Sequence, residues 1–198
     1  MRHYYCRNWE PVAETRQVHW ETSSWTLAFH TASGVFSKSR VDPGTKLLVR
    51  EILKEEPADD FLDLACGYGP VGIALGCCGW SNRIHFCDVN FKALRLLKMN
   101  LERNQLKGWI HCGDGAEALS ESRFDAIGLN PPIRAGKEKV FGLIRGGLKL
   151  LRPGGRFYLV MRTKQGALRL RKAPALANLS FFEMAKGGGY RVFRLKNH

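Results

Sequence analysis

From residue 60 onward, short apolar runs alternate with amphipathic stretches. A buried strand followed by a helix that returns across a sheet produces this alternation, so the pattern predicts βα units building a mostly parallel sheet. Asp60 to Leu64 is the first expected strand. Arg83 to Cys87, Trp109 to Cys112 and Phe124 to Leu129 follow, and Arg156 to Val160 is the fifth. Asn90 is placed to cap a helix with Leu94, Leu97 and Leu101 on one face, and Val140, Ile144, Leu148 and Leu151 repeat that spacing. Arg152-Pro153-Gly154-Gly155 is expected to stop the second helix, because proline cannot continue it and glycine allows the reversal. Phe181 to Met184 and Tyr190 to Leu195 flank Gly187-Gly188-Gly189 and read as an antiparallel pair closing the sheet at its edge.

Residues before the first of these strands have no clear place in the sheet. Trp25 to His30 reads as a strand, and Asp42-Pro43-Gly44-Thr45 as the capped start of a helix running to about Glu55. No repeat or linker interrupts the 198 residues. One domain is therefore expected, with residues 1–58 as an N-terminal extension packed on a core of residues 59–198. The pattern gives no role to Trp9, Trp20 or Trp25. The start lacks the apolar stretch of a signal peptide, and no apolar run approaches the roughly 18 residues of a membrane helix, so a cytoplasmic protein without a membrane partner is expected. Cys6, Cys66, Cys77, Cys78, Cys87 and Cys112 form neither a C-x-x-C pair nor a Cys/His ligand cluster, which predicts reduced, mostly buried thiols and no metal.

Gly67-Tyr68-Gly69-Pro70-Val71-Gly72 follows the first strand and opens a helix, the context in which G-x-G-x-x-G binds nucleotides. The fold class that results is α/β: a Rossmann-like, doubly wound, mostly parallel sheet with an antiparallel C-terminal edge strand and a short N-terminal extension. Asp88 ends the second strand, where a carboxylate can accept hydrogen bonds from ribose hydroxyls. NAD and S-adenosylmethionine both suit these residues. Asp63 and Asp114 add two carboxylates around the same pocket; they favour S-adenosylmethionine, which is cationic at one end, over a pyrophosphate. A lone aspartate is more often a helix cap or a solvated loop residue, but these three fall at successive strand ends.

Asp63-Leu64-Ala65-Cys66-Gly67-Tyr68-Gly69-Pro70-Val71-Gly72 resembles the first motif of class I methyltransferases. The resemblance implies that Asp63, Ala65, Gly67 and Gly69 hold the amino-acid end of S-adenosyl-L-methionine. It further implies that Asp88 and Val89 hold the ribose side, and that Asp114 and Gly115 meet the adenine.

After the fourth strand, Asn130-Pro131-Pro132-Ile133 joins a polar side chain to a backbone stiffened by two prolines. Such a string is usually a rigid turn. Here it follows a strand end that faces the same crevice as the glycine loop. The Asn130 amide oxygen and the Pro131 carbonyl are two acceptors able to grip the hydrogens of an amine whose lone pair then faces a methyl donor. The string resembles the fourth motif of amine-directed methyltransferases. The wider Asn130 to Lys137 stretch, with Gly34-Val35-Phe36-Ser37, Lys164-Gln165-Gly166 and Gly189-Tyr190-Arg191-Val192, is similar to the small-domain family that includes guanine-N2 methyltransferases of small-subunit ribosomal RNA. That resemblance implies Asn130 and Pro131 as catalytic, with Asn130 also at the cofactor. Adenine-directed relatives usually carry an aromatic residue where this chain has Ile133. Some ribosomal members resemble two fused copies, whereas this chain has one.

Lysine and arginine outnumber aspartate and glutamate by 31 to 18, and the net charge of +13 makes a polyanion the first partner to consider. The expected partner is RNA, small-subunit ribosomal RNA or its assembly particle, with the target base unpaired or flipped out. Phe36 and Ile133 are expected to receive the base. Arg134, Lys137 and Lys139, with Arg162, Lys164, Arg169, Arg171 and Lys172, are expected along the phosphates, although a solvated basic face has the same composition. Methylation at adenine-N6 or at a protein glutamine, an NAD-dependent oxidoreductase, and an idle RNA-binding module are the alternatives. Composition leaves the oligomeric state open, and a monomer is compatible with it.

Overall fold

The computed structural model describes residues 12–170 and 173–197. Cys6, Trp9, Arg171, Lys172 and the side chain of Arg169 lie outside the described residues. The chain opens with an antiparallel hairpin of β1 (Arg16–Glu21) and β2 (Thr26–Thr31), a two-stranded sheet of its own. Only the second strand is legible in sequence, because β1 turns just Val18 and Trp20 inward. Trp20 is buried and meets Trp25 edge to face at 4.9 Å, so these two tryptophans hold the hairpin together. Helix α1 (Pro43–Ile52) then starts where expected, its first amides bonded to Asp42 and Pro43 at its first turn.

The main sheet contains β3 (Asp60–Leu64), β4 (Arg83–Asp88), β5 (Trp109–Cys112), β6 (Phe124–Leu129), β7 (Leu151–Arg162), β8 (Leu179–Gly187) and β9 (Tyr190–Asn197). They lie in the order β5-β4-β3-β6-β7-β9-β8. The first five are parallel, and β9 enters antiparallel between β7 and β8. The C-terminal pair therefore forms the expected antiparallel edge, with β8 outermost and the last strand one place in. Gly188 and Gly189 make its turn with φ of 55° and 81°, values that glycine adopts without side-chain strain.

Helices α2 (Pro70–Cys77) and α3 (Phe91–Arg103) cover one face of the sheet together with α1, and α4 (Lys137–Lys149) covers the other. Asn90 caps α3 by accepting the Ala93 amide, and Leu94, Leu97 and Leu101 are buried as their spacing requires. Each contributes about 1.5–3 kcal/mol of apolar transfer free energy. On α4, Val140 and Ile144 are buried and Leu148 is half-buried, whereas Leu151 already belongs to β7. The helix ends at Lys149, ahead of Pro153. Arg152 to Gly155 instead form a bulge in β7, between the pairs Phe124–Leu151 and Ala126–Arg156. The bulge turns Arg152 onto Asp60 and Asp125 at 2.8 Å each, and Arg83 grips Asp60 from the other side at 2.7 Å.

Among the parallel strands, chain order runs outward from β3 through β4 to β5 in one direction and from β6 to β7 in the other. The crevice beyond their C-terminal ends is the topological switch point where open α/β sheets bind ligands.

Candidate active site

Along β3 every residue is buried, and alternate side chains enter opposite layers. Phe61 packs towards α2, whereas Leu62 and Leu64 enter the layer under α4. Asp63 shares the face of Phe61 and has its carboxylate in the α2 layer, where Oδ2 accepts the Gly72 amide at 2.9 Å. It is only 2% exposed. Burial pushes its carboxyl well above the usual carboxylate range; the Gly72 hydrogen bond opposes that rise and the charge of Asp88 adds to it. Asp63 thus braces the start of α2.

Past β3 the backbone turns sharply: Ala65, Gly67 and Gly69 have φ of 55°, 57° and 89°. The glycines have different environments. A Cβ at Gly69 would lie 2.3 Å from Leu97, and one at Gly72 would lie 2.4 Å from Phe86, so these two permit close packing of loop and helix on the sheet. A Cβ at Gly67 would meet nothing within 4 Å, which leaves its backbone open to the crevice. The Gly67 amide donates to Asp88 Oδ2 at 2.7 Å and the Asn90 amide to Oδ1 at 2.8 Å. One carboxylate thereby ties the glycine loop to the start of α3. Val89, beside it, is 59% exposed.

Asp114 follows β5 and pairs with Lys139 at the start of α4; Gly115, next to it, is buried with φ of 56°. The acidic rim is therefore thinner than three aspartates suggest: Asp63 is buried and Asp114 is matched by a lysine. Asp88 is the carboxylate facing the glycine loop. Lys139, expected along phosphates, is committed to Asp114, and Arg162 stacks on Tyr190, its centre 5.0 Å from the ring. Arg134, Lys137 and Lys164 are exposed.

Asn130 follows β6. Its Nδ2 donates to Thr45 Oγ1 at 2.9 Å and is 3.4 Å from Asp42 Oδ2, so its amide hydrogens are directed at α1. Pro131 is buried and Ile133 is half-buried against the α4 layer. Phe36 is 63% exposed on a loop whose Gly34 carbonyl accepts from Asn90 Nδ2 at 3.2 Å, which brings that loop to the end of β4.

Two features escaped sequence reasoning. Asn100 on α3 is fully buried, accepts the His30 amide at 2.5 Å, and donates to the carbonyls of His30 and Tyr68 at 3.1 and 3.0 Å. It fastens the N-terminal hairpin to the glycine loop. The set around Asn130 joins residues far apart in the chain; Asp42 was legible only as a helix cap. Among the described residues no group of His, Cys, Asp or Glu is arranged to hold a metal. Burial pushes the thiol of Cys66 well up and that of Cys87 up to about 12, so neither is a ready nucleophile.

The sequence profile of the methyltransferase small domain matches residues 26–194. The chain belongs to that family. The uncharacterized protein YbxB of Bacillus subtilis (strain 168) is 34% identical over 169 residues, covering 83% of both chains. Ribosomal RNA small subunit methyltransferase C of Escherichia coli (strain K12 / DH10B) is 29% identical over 155 residues, 76% of this chain and 45% of that protein. Among solved structures, the T. thermophilus 16S rRNA N2 G1207 methyltransferase RsmC, in complex with AdoMet and guanosine, superimposes with a TM-score of 0.78 at 26% identity. The match covers 93% of this chain and 51% of that one. The chain thus spans about half the length of the ribosomal RNA enzymes it matches. Its fold is that of S-adenosylmethionine-dependent methyltransferases, which separates it from the dinucleotide oxidoreductases that share a glycine loop.

Proposed function

We propose that this chain transfers the methyl group of S-adenosylmethionine to an exocyclic amine of an RNA base, with guanine-N2 of small-subunit ribosomal RNA as the target. The observation that carries the reading is the Asn130 amide. Its hydrogens are spent on Thr45 and Asp42, which leaves Oδ1 as an acceptor beside the glycine-loop crevice. An acceptor there suits N–H donors. The likeness to RsmC supports guanine as the base and ribosomal RNA as its source.

The residues present fit the methyl donor. Gly67 leaves backbone open for its amino-acid end, Asp88 keeps lone pairs for the ribose hydroxyls, and exposed Val89 offers apolar surface beside them. Bound S-adenosylmethionine supplies an electrophilic methyl group and a neutral leaving thioether. Asn130 Oδ1 and the Pro131 carbonyl hold the two amine hydrogens, turning the nitrogen lone pair towards the crevice, and one amine proton is released to water as or after the new N–C bond forms. Positioning carries such a reaction. Phe36 and Ile133 flank the base, while exposed Arg134, Lys137 and Lys164 meet phosphates.

The test is transfer of labelled methyl from S-adenosylmethionine to small-subunit RNA or particles lacking modification, followed by identification of the nucleoside. Labelled N2-methylguanosine that vanishes with Asn130→Ala is the expected result. Cofactor binding without transfer to RNA overturns the substrate, and failure to bind S-adenosylmethionine overturns the reading altogether.

A further inference from the structure

Four side chains from three parts of the fold form a chain of contacts that ends on Asn130. Asp42 and Thr45 come from the start of α1, Tyr190 from β9 and Arg162 from the end of β7. Arg162 Nε donates to the Tyr190 hydroxyl at 2.7 Å, and that hydroxyl donates to Asp42 Oδ1 at 2.7 Å. Asp42 Oδ2 accepts the amides of Gly44 and Thr45 at 2.9 and 3.2 Å and lies 3.4 Å from Asn130 Nδ2. Asp42, Thr45 and Tyr190 are all buried.

We propose that Asp42, Thr45, Tyr190 and Arg162 are positioning residues that lock the Asn130 amide with its oxygen towards the crevice, so that the site selects an amine over a carbonyl group. The proposal rests on the amine-methyltransferase reading given above.

A planar amide fits a site of its shape in two orientations, related by a half-turn, that exchange a donor for an acceptor. The Thr45 hydroxyl both donates and accepts and so suits either orientation, but Asp42 distinguishes them. A carboxylate accepts and cannot donate, so the flipped amide sets its oxygen against Asp42 and removes its N–H groups from their acceptors. Asp42 is itself held on both oxygens, by the Tyr190 hydroxyl on one and backbone amides on the other, and the Arg162 guanidinium lies beyond the phenol as the matching positive charge. Gly44 permits this closure. A Cβ there would lie 2.5 Å from the Tyr190 ring, so a larger residue would push the first turn of α1 off the phenol. Held this way, Asn130 presents an acceptor to whatever enters. An exocyclic amine offers it a hydrogen, whereas a keto oxygen at the same point meets another oxygen.

The experiment uses the full chain and three variants: Thr45→Val, which removes the acceptor at nearly constant volume; Thr45→Ser, which restores it; and Tyr190→Phe, which keeps the ring and removes the bridge to Asp42. The first readout is hydrogen exchange at the Asn130 side-chain amide, assigned by its disappearance in Asn130→Ala and followed without substrate. Protection in the parent, loss of about tenfold or more in Thr45→Val and Tyr190→Phe, and recovery in Thr45→Ser is the expected pattern. The second is methyl transfer, where kcat falls about 100-fold in Thr45→Val, the dissociation constant for S-adenosylmethionine changes less than about twofold, and Thr45→Ser recovers.

A parent amide that exchanges as freely as an exposed asparagine overturns the lock, whatever the activity. Lost protection with unchanged kcat overturns its catalytic consequence. A protected amide in a chain that methylates no amine-bearing base retains the lock and refutes the functional reading, so the two failures are distinguishable.

Discussion

Replacing Asn100 by leucine removes one side chain of similar size and tests how the N-terminal hairpin is joined to the cofactor loop. Strand β2 presents an edge to α3, and the helix pairs it with side chains. Asn100 takes both backbone groups of His30, and Asn104 donates to the Ala28 carbonyl at 2.9 Å. The two asparagines, one turn apart, do for this edge what a neighbouring strand would do. Asn100→Leu leaves the His30 amide and the carbonyls of His30 and Tyr68 without their partner. Each buried group left unpaired costs about 1–3 kcal/mol. Leucine offsets part of this through its own apolar burial, about 1.5–3 kcal/mol. Mid-range values leave a net loss of about 4 kcal/mol, equivalent to a melting temperature lower by roughly 10 °C for a chain of this size. Urea unfolding gives the free energy, and calorimetric titration with S-adenosylmethionine reports the loop, where weaker binding is expected because Tyr68 lies between Gly67 and Gly69. Asn104→Ala is the control, expected to cost about 1–2 kcal/mol for its two partly buried hydrogen bonds, to the carbonyls of Ala28 and Asn100. A loss below about 1 kcal/mol in Asn100→Leu, or an equal loss in the control, refutes the reasoning.

Three further outcomes follow from the packing and charge of the sheet. Asp63 holds its proton more tightly in the folded chain than in the unfolded one, so its contribution is fully present below the ordinary value of 3.8 and is lost as pH rises above it. Urea midpoints measured across that range should therefore show Asp63→Asn gaining on the parent as pH increases; a constant difference would contradict the burial of the carboxylate. Gly72→Ala places a methyl group 2.4 Å from Phe86 and should cost about 1–3 kcal/mol in thermal unfolding, whereas Gly142→Ala, inside α4 where a Cβ would meet nothing within 4 Å, should stabilise by about 0.5–1 kcal/mol. Although burial raises the carboxyl of Asp60, its hydrogen bonds to Arg83 and Arg152 hold it below the usual range. Its stabilisation is present above 3.8 and lost as pH falls. Arg152→Gln should lower the melting temperature by about 2–4 °C at neutral pH, a gap that closes in acid.

The parallel core was legible because its strands are short, largely apolar runs and its helices keep a strict face. Leu94, Leu97 and Leu101 all point into one layer, and Asn90 caps where a cap was needed. What escaped was tertiary in origin. Strand β1 buries two residues among polar ones, too little pattern to separate it from a loop. Pro153 and the glycines after it suggested the end of a helix, yet α4 had already stopped and the same residues fit a bulge that brings Arg152 to its carboxylates.

The site divides along the same line. Local spacing marked Asn130 as an acceptor, because an asparagine beside two prolines at a strand end is visible in a short window. Its orientation depends on Asp42, 88 residues earlier, and Asp42 in turn on Tyr190, 148 residues later. Each of those residues has a sufficient local explanation, Asp42 as a cap and Tyr190 as a strand aromatic, so nothing in the sequence asks for a second role. Asp63 shows the converse. Its place in a recognisable motif suggested an open carboxylate, but the alternation of β3 turns it beneath α2, where it shapes the glycine loop from below. A motif specifies which residues meet at a crevice, and the packing behind it decides whether each one faces the ligand or holds another residue in place.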